Sequence, residues 1–386
     1  MFLLEMLAER CVEVDVLYKK DPGFLSPDSV GESVRFLPQH SFATGRPDLM
    51  TASRGVVRFL LGGGGRAAGR AFHPLFGLLN AGRYAVLMGV DPSGIFLAHY
   101  LNRYARRPLI YLSFELLFSE EISAPADLEL RRREAIACRH VALALVQDEE
   151  RARLLCQEVA LPRDRVLLVP VAPPDQEILQ SDYLRATLGI SAARRIVLYC
   201  GNVADWASRD EWAEMLSYWP DRYCLVVHSR ALLDRRTQRH LQPLVDSGKL
   251  VISSTPVPRR DMVRLVASSD FGLASYKPVP SHWMSGLNLY HLGLSSGKVS
   301  YYAMCGKPIL ARSLPVFEEE FARYDCGRIY RRLADTGSLL TEMDRDYRHH
   351  SAESRRFYRE RLDPSEPMAR FCDRLIDIAR RHHTRH

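Results

Sequence analysis

The sequence predicts an α/β protein made of two domains, each a parallel sheet flanked by helices, and three observations predict it. Short apolar runs rich in Val, Ile, Leu and Tyr recur along the chain, separated by stretches of helical period, which is the alternation of parallel α/β units. The 386 residues exceed the roughly 250 to 300 at which a single hydrophobic core stops growing. Between two series of such runs lies "PVAPPDQEILQSDYLRATLGISAARR", which mixes prolines with polar residues and contains no strand pattern, as a linker between separately cored units should. The boundaries drawn from this are 1–175 for the first domain, 193–345 for the second, and 346–386 for terminal helices that pack back across the cleft between them.

Taken in order, the chain opens on Phe2, Leu3, Met6 and Leu7 at helical spacing, followed by the strand-like "VEVDVLY". A doubly wound domain normally opens strand, glycine-rich turn, helix. Either this domain lacks its first strand or Met1 is an internal methionine of a longer reading frame, and the second is the expectation. "VRFL", "YAVLMGV", "PLIYLS", "VALALV" and "VLLVP" complete the first series; "RIVLYC", "YCLVVH", "KLVIS", "FGLAS" and "KPILA" form the second. Gly62 to Gly65 read as a flexible turn, because no strand pattern leads into them. The last stretch, "EPMARFCDRLIDIARRHHTRH", carries Met368, Phe371, Leu375 and Ile376 on one stripe and is an amphipathic helix in need of a docking surface.

Composition excludes several classes. No segment approaches the roughly 18 uninterrupted apolar residues of a membrane span, and the first residues lack the basic region and apolar core of a signal peptide, so a cytoplasmic location is expected. The eight cysteines include no Cys-x-x-Cys pair and suggest neither zinc nor a disulfide framework. The net charge of +7 attracts nucleic acid, anionic lipid or nucleotide alike. Nucleic acid is set aside because zinc-finger spacing, basic-plus-heptad pattern and RNA-binding aromatic segment are all missing. Arg54, Arg58, Arg66 and Arg70 interleave with Phe and Leu, a pattern suited to peripheral contact with an anionic membrane on its cytoplasmic face, although an ordinary basic helix face has the same pattern.

The most informative stretch is "GLSSGKVSYYAMCGKPIL". It is not a nucleotide-triphosphate P-loop, since three residues rather than four separate Gly293 from Gly297 and Val299 follows Lys298. It does suit an anion at a helix start: Ser295, Ser296 and Gly297 fall where backbone N–H groups point outward, the helix dipole adds roughly half a positive charge, and Lys298 adds a full one. The plainer alternative is a serine cap with a solvated lysine. The stretch follows the strand and loop "FGLASYKP", at the sheet edge where such folds bind ligands, which favours the anion. Gly306 reads as the helix stop and Lys307-Pro308 as the entry to the next strand.

In family order, "RIVLYCGNV", "YCLVVHSR", "VPRRDMVRLVASSDFGLASY", "SSGKVSYYAMCGKPILA" and "LPVFEEEFARYDCGRIY" resemble the nucleotide-sugar domain of retaining glycosyltransferases with two Rossmann-like domains, the GT-B fold, and most closely the family 4 type. "YAVLMGVDPSGIFLAHYLNRYARRPLIYLSFEL" and "REAIACRHVALALVQDEERARLL" resemble, more loosely, the family's acceptor domain. The resemblance implies two Rossmann-like domains facing a cleft, a hexosyltransferase-like enzyme, a nucleotide-diphosphate sugar as co-substrate, a saccharide or lipid-linked acceptor in polysaccharide or glycolipid synthesis, and no bound metal or other cofactor. It also implies that Met1 falls just after the family's first strand and glycine-rich loop.

The sequence departs from that family where Gly293 and Tyr301 replace its pair of glutamates, Asn202 replaces an arginine, and "ADWASRDEW" lacks a lysine. Breaking the sugar to diphosphate bond leaves negative charge on the departing group, so fixed positive charge there is the largest help a protein offers. Lys298 and Arg230 are the candidate catalytic cations. Gly201, Asn202, Lys277, Ser295, Ser296, Gly297, Lys298 and Tyr301 are the candidate donor-binding residues. Arg230 and Lys277 fit solvated surface charges as well, and Gly201 fits a tight turn. On the acceptor side Glu115 closes a strand and Asp91 sits in "GVDPSG", where it is expected to cap the following helix. His228, closing an apolar strand, is expected to be structural. The alternatives to catalysis are a non-catalytic GT-B protein that binds a nucleotide or a partner enzyme, and a sugar-nucleotide epimerase, whose paired carboxylates and histidines do not occur at recognisable positions.

Overall fold

The structure, a computed structural model, describes residues 2–10, 12–18, 33–38, 84–229, 233–255, 257–280 and 284–383. The chain divides into two compact units, Met1–Val169 with Ser365–His386, and Pro170–Pro364.

In the first unit α1 (Phe2–Glu9) precedes β1 (Val14–Tyr18) and β2 (Val34–Pro38), which pair in parallel as a two-stranded sheet. A separate sheet follows, with β3 (Leu87–Val90), α2 (Asp91–Ala105), β4 (Leu109–Leu112), α3 (Pro125–Cys138), β5 (Val141–Val146), α4 (Glu149–Val159) and β6 (Val166–Leu168). Its four strands lie parallel in sequence order. The six expected strands are therefore split two and four. Both sheets share one core: Val14 and Val34 from the small sheet pack with Ile110, Leu112, Leu143 and Leu145 from the large one.

The second unit opens with α5 (Tyr183–Leu188). It continues through β7 (Arg195–Cys200), α6 (Trp212–Ser217), β8 (Tyr223–His228), α7 (Arg235–Asp246), β9 (Leu250–Ser253), α8 (Met262–Ala267) and β10 (Phe271–Ala274). Then come α9 (Leu287–Tyr290), α10 (Gly297–Met304), β11 (Ile309–Arg312), α11 (Pro315–Tyr324), β12 (Gly327–Tyr330), α12 (Thr336–Arg345) and α13 (Tyr347–Phe357). The sheet order is β12-β11-β10-β7-β8-β9, all parallel, which is a doubly wound sheet reversing direction between β7 and β10. Alternation along β7 sorts the core into two layers, with Ile196, Leu198 and Cys200 on one face and Val197 and Tyr199 on the other. The sequence does not single out β12 as a strand, because it is short and carries Arg328. At Gly327 a Cβ would lie 2.0 Å from the Ile309 carbonyl oxygen, so the close pairing with β11 demands glycine.

The boundaries differ from those drawn on the sequence. The stretch after Pro170 belongs to the second unit: the Val171 N–H donates to the Leu294 carbonyl at 2.9 Å, the Ser300 hydroxyl to the Val171 carbonyl at 2.7 Å, and the Tyr358 hydroxyl to the Pro173 carbonyl at 2.6 Å. Residues 346–364 stay with that unit as well. The chain returns to the first unit only with α14 (Ser365–His383), which packs on α1, β5 and β6. It buries Met368, Phe371, Cys372 and Leu375 there with Ile378 packed alongside, so Cys372 and Ile378 take the place expected of Ile376. The seven described cysteines are free and mostly buried.

Candidate functional site

The reversal of strand order in the second sheet puts the carboxyl ends of β7 and β10 side by side, the place where open α/β sheets take ligands. Three segments build the corner: the turn after β7 from Gly201 to Trp206, the loop after β10 through Tyr276 and Lys277, and the start of α10.

Gly293 at φ +56° begins a tight turn that delivers Ser296 to the cap position of α10, where its hydroxyl accepts from the Val299 N–H at 3.3 Å. The Ser295 hydroxyl is committed to the Leu292 carbonyl at 2.5 Å. The Tyr276 hydroxyl lies 2.5 Å from the Ser296 hydroxyl, tying the cap to the β10 loop. Gly297 opens the helix, and a Cβ there would meet only Val171 at 3.8 Å, so space does not require glycine. One helical turn on, the Tyr302 hydroxyl donates to the Leu198 carbonyl at 2.7 Å and accepts from the Cys200 N–H at 3.0 Å, fastening α10 to β7. A Cβ at Gly272 would fall 2.2 Å from the Tyr302 ring, which is why β10 carries glycine beneath it.

Lys298 runs back over the sheet edge into an aromatic cage. Its ammonium lies 3.9 Å from the centre of the Tyr199 ring, 4.5 Å from that of Tyr276 and 5.6 Å from that of Trp206. Trp206 and Tyr276 stack with ring centres 6.1 Å apart and planes 10° apart. The cage opens on Gly201, whose φ of +150° lies outside the range of ordinary side chains and whose added Cβ would meet the Lys298 Cε and Nζ at 3.4 Å. The turn therefore calls for glycine through its φ, while a Cβ would make only an ordinary contact with the lysine. The Tyr199 hydroxyl donates to the Asn202 carbonyl at 2.7 Å, holding the turn closed. Burial drives the pKa of Tyr199 and of Tyr302 well above that of an ordinary phenol, so both remain neutral donors.

Gly201, Ser295, Ser296, Gly297 and Lys298 thus meet at one corner. Asn202 contributes its backbone there, and its side chain is exposed. Lys277 is anchored beside the corner by its N–H to the Trp206 carbonyl at 2.8 Å, but its ammonium is 2.8 Å from both Asp210 and Glu211. Hydrogen bonds to those carboxylates hold its pKa above that of an ordinary lysine, so its charge is already matched. Tyr301 is half-buried against the core behind the helix. Arg230 lies outside the described residues, as does the basic segment at 54–70. His228 is structural, its Nδ1 2.9 Å from the Ser253 hydroxyl. In the second glycine-lysine pair, Gly306 at φ +62° stops the helix and the Lys307 ammonium donates to the Ala267 carbonyl at 2.8 Å.

The cage residues Tyr199, Trp206 and Tyr276, and Tyr302 that fastens α10 to β7, were not legible as a group. Each closes or follows an apolar strand or sits in a helix, where an aromatic residue ordinarily reads as core. The signal available was an aromatic residue at the end of β7 and another just beyond β10, the two strands that flank the reversal.

Asp91 and Glu115 occupy the first unit. Asp91 does not cap α2: it is the first helical residue, at φ +57°, and Val90 precedes it without a side-chain cap. Its carboxylate instead accepts from the N–H groups of Phe114 at 2.8 Å and Glu115 at 3.0 Å. From the other side Arg151 donates to the Phe114 carbonyl and to the Gln147 side chain, each at 2.7 Å, and Gln147 donates to the Ser113 carbonyl at 2.7 Å. Burial pushes the pKa of Asp91 up to about 6 against the pull of those two N–H groups. Glu115 stands half-buried, its charge interacting with the guanidinium of the buried Arg151.

Among the described residues, the grouping that comes nearest to a metal-binding trio is Asp325, His349 and His350. Asp325 accepts from His349 at 2.8 Å and from Arg328, and His350 Nδ1 donates to the Asp325 carbonyl at 2.7 Å. The trio reads as a staple at the end of α11, with Asp325 shared between His349 and Arg328 and His350 Nδ1 bonded to the Asp325 carbonyl.

No protein-family model matches the chain, and no curated protein matches it in sequence. Solved structures do match. Anabaena HepE in complex with UDP and glucose is 14% identical, with a TM-score of 0.70 over 97% of this chain and 95% of that one. Sucrose-phosphate synthase from Thermosynechococcus elongatus is 13% identical, with a TM-score of 0.62 over 97% and 91% of the two chains. WaaG, a glycosyltransferase involved in lipopolysaccharide biosynthesis, is 14% identical, with a TM-score of 0.60 over 96% and 94%. HepE is also known in complex with UDP-glucose. At these identities the likeness establishes the fold, two parallel-sheet α/β domains of the GT-B type.

Proposed function

We propose that this chain is a glycosyltransferase of the family 4 type that moves a hexose from a nucleotide-diphosphate donor, with retention, to a polysaccharide or glycolipid acceptor. The observation that carries this reading is the Lys298 ammonium held above Gly201 by three aromatic rings, beside the capped start of α10. The first N–H groups of a helix have no intrahelical acceptor. With a lysine next to them they form a fixed positive site for a diphosphate, and this supports loss of the nucleotide as the leaving group. The same lysine explains how a cation reaches the glycine turn although Asn202 and the "ADWASRDEW" segment provide none. With charge supplied this way the reaction needs no metal, and turnover is expected to survive EDTA. A lipid-linked acceptor would set the protein on the cytoplasmic face of a membrane.

The test is thermal stability with UDP, GDP, ADP, CMP and dTDP, on the wild type and on Lys298→Ala, because a ligand that binds only the native state raises the midpoint. One nucleotide should stabilise the wild type and not the variant; if none shifts the wild type, this reading is lost. A second reading, a non-catalytic nucleotide-binding protein, is favoured by Gly293 and Tyr301, which leave the corner without the family's carboxylates. Nucleotide binding with no release of UDP from UDP-sugars in any acceptor mixture would select it.

A further inference from the structure

Helix arginines in this protein commonly pair along their own helix: Arg133 with Glu129 at 2.6 Å on α3, Arg153 with Glu150 at 2.7 Å on α4, and Arg356 with Glu353 at 2.8 Å on α13. α7 departs from this. Its first two turns present Arg235, Arg236, Arg239 and His240, all exposed, and among the described residues none of the four is paired with a carboxylate. At about 100° per residue they share one side of the helix, while Leu241, Leu244 and Val245 on the other side pack into the core. Asp234, just ahead of the helix, is committed to its cap, accepting from the Thr237 N–H at 2.8 Å and from the Thr237 hydroxyl at 2.9 Å. A cation at a helix start opposes the dipole, and like charges one turn apart repel, so this face lowers stability with no compensation among the described residues. We propose that the basic face of α7, with the cavity at its foot, docks an acidic peptide segment of a partner protein.

That cavity, of about 500 Å³, is lined by Arg209, Arg236, His240 and Lys277 against Asp205 and Asp210. Arg209 donates to Asp205 at 2.6 Å and the Lys277 ammonium is 2.8 Å from Asp210, so both carboxylates are already matched, and Arg236 and His240 keep their donors for a ligand. The Asp205 and Asp210 side chains are 75% and 55% exposed, so the cavity is an open one, suited to the side chain of a docked protein rather than to a small molecule that must be enclosed.

The chemistry of the face selects carboxylates on a peptide. Its formal charge is carried by arginine, whose planar fork takes a carboxylate through two parallel N–H bonds where a lysine would act as a point charge. Arg235 and Arg239 lie one turn apart, roughly 5–6 Å between Cβ atoms, close to the roughly 6.5 Å between alternate side chains of an extended chain. An extended segment with carboxylates at alternate positions therefore matches it. A membrane is a poorer fit, because the apolar side of α7 is buried and leaves nothing to insert. A nucleic-acid strand finds no aromatic ring on the helix to stack on. The face carries its charge whether or not the chain transfers a sugar.

The full chain is titrated at low salt into fluorescein-labelled peptides of alternating glutamate and serine, or of alternating glutamine and serine, and followed by fluorescence anisotropy. The glutamate peptide is expected to bind saturably and at least tenfold more tightly than the glutamine peptide. Combining Arg235→Gln, Arg236→Gln and Arg239→Gln should weaken it at least tenfold at an unchanged or raised melting temperature. Arg132→Gln, Arg331→Gln and Arg332→Gln together, an equal change of charge elsewhere, should leave it within twofold. Equal affinity for the two peptides, equal losses in both triple variants, or displacement of the peptide by UDP at constant ionic strength would each overturn the inference. So would vesicles containing phosphatidylglycerol that pellet the wild type and not the α7 variant, since the face would then belong to a membrane. Peptide bound with no nucleotide bound sinks the donor reading and leaves this one standing.

Discussion

Two strand-to-helix corners, one in each unit, treat negative charge in opposite ways. At the start of α2 the chain brings its own anion: Asp91 sits on the N–H groups of Phe114 and Glu115, and Arg151 and Gln147 clamp the same loop through its carbonyls. At the start of α10 the cap is a neutral hydroxyl, and the second helical residue is Lys298, whose ammonium lies over the Tyr199 ring. Each corner lies at the carboxyl edge of a parallel sheet, so topology alone does not distinguish them. What does is the group that meets the helix start: a buried carboxylate on backbone N–H groups at one, a hydroxyl cap beside a lysine ammonium in an aromatic cage at the other.

The largest effect is expected at the second corner. Lys298→Ala should weaken the preferred nucleoside diphosphate by roughly 10- to 100-fold, the worth of a charge-assisted hydrogen bond, as read by calorimetric titration. Equal affinity in wild type and variant would erase the contrast between the corners.

At the first corner the prediction concerns pH. The folded-state pKa of Asp91 is raised from 3.8 to about 6, so the native state holds this proton more firmly than the unfolded chain does. Its contribution is complete below pH 4 and is lost as pH rises through 6, a fall on the order of 2–3 kcal/mol. Asp91→Asn should flatten that part of the urea-derived stability curve. The comparison must be made against the wild type, because the buried Glu134, pushed up to about 7 by burial, adds a slope of the same sign. An unchanged curve in the variant would mean that Asp91 is ionised on its loop without cost.

Next, Tyr276→Phe removes the hydroxyl bonded to Ser296 and keeps the ring over Lys298, so nucleotide affinity should fall about three- to tenfold, the scale of one hydrogen bond. A larger loss would assign the ring, rather than the cap, to the site. A further pair of variants separates the two glycines of the corner. An added Cβ meets only ordinary contacts at either glycine, so Gly297→Ala should change stability by less than about 1 kcal/mol, whereas Gly201→Ala also takes on an unfavourable φ and should cost about 1–3 kcal/mol by thermal melting.

The two larger sheets were legible in the sequence wherever burial imposes a continuous apolar run, as in "RIVLYC" and "VALALV". β12 was less so, since a four-residue strand with Arg328 inside it has no such run. The helix start at Ser296 was legible because capping is local chemistry. The cage was not, because Lys298, Tyr199 and Tyr276 meet only after β7 and β10 become neighbours. Asp91 shows the same limit in reverse: a helix-start aspartate predicts a cap, but its positive φ turns the carboxylate towards a loop more than twenty residues away in sequence. Proline-rich composition marks where a chain is extended, not which core it lies on, so sequence alone did not assign the stretch after Pro170 and residues 346–364 to the second unit.

The return of the chain to the first unit at Ser365 sets an order of events during synthesis. Pro170–Pro364 is contiguous and can complete its core as soon as it clears the ribosome, whereas the residues made before it must wait for Phe371, Cys372 and Leu375, which are translated after it. The half of the protein that is made first is therefore the half that finishes folding last, and until then its apolar face is a natural client for chaperones.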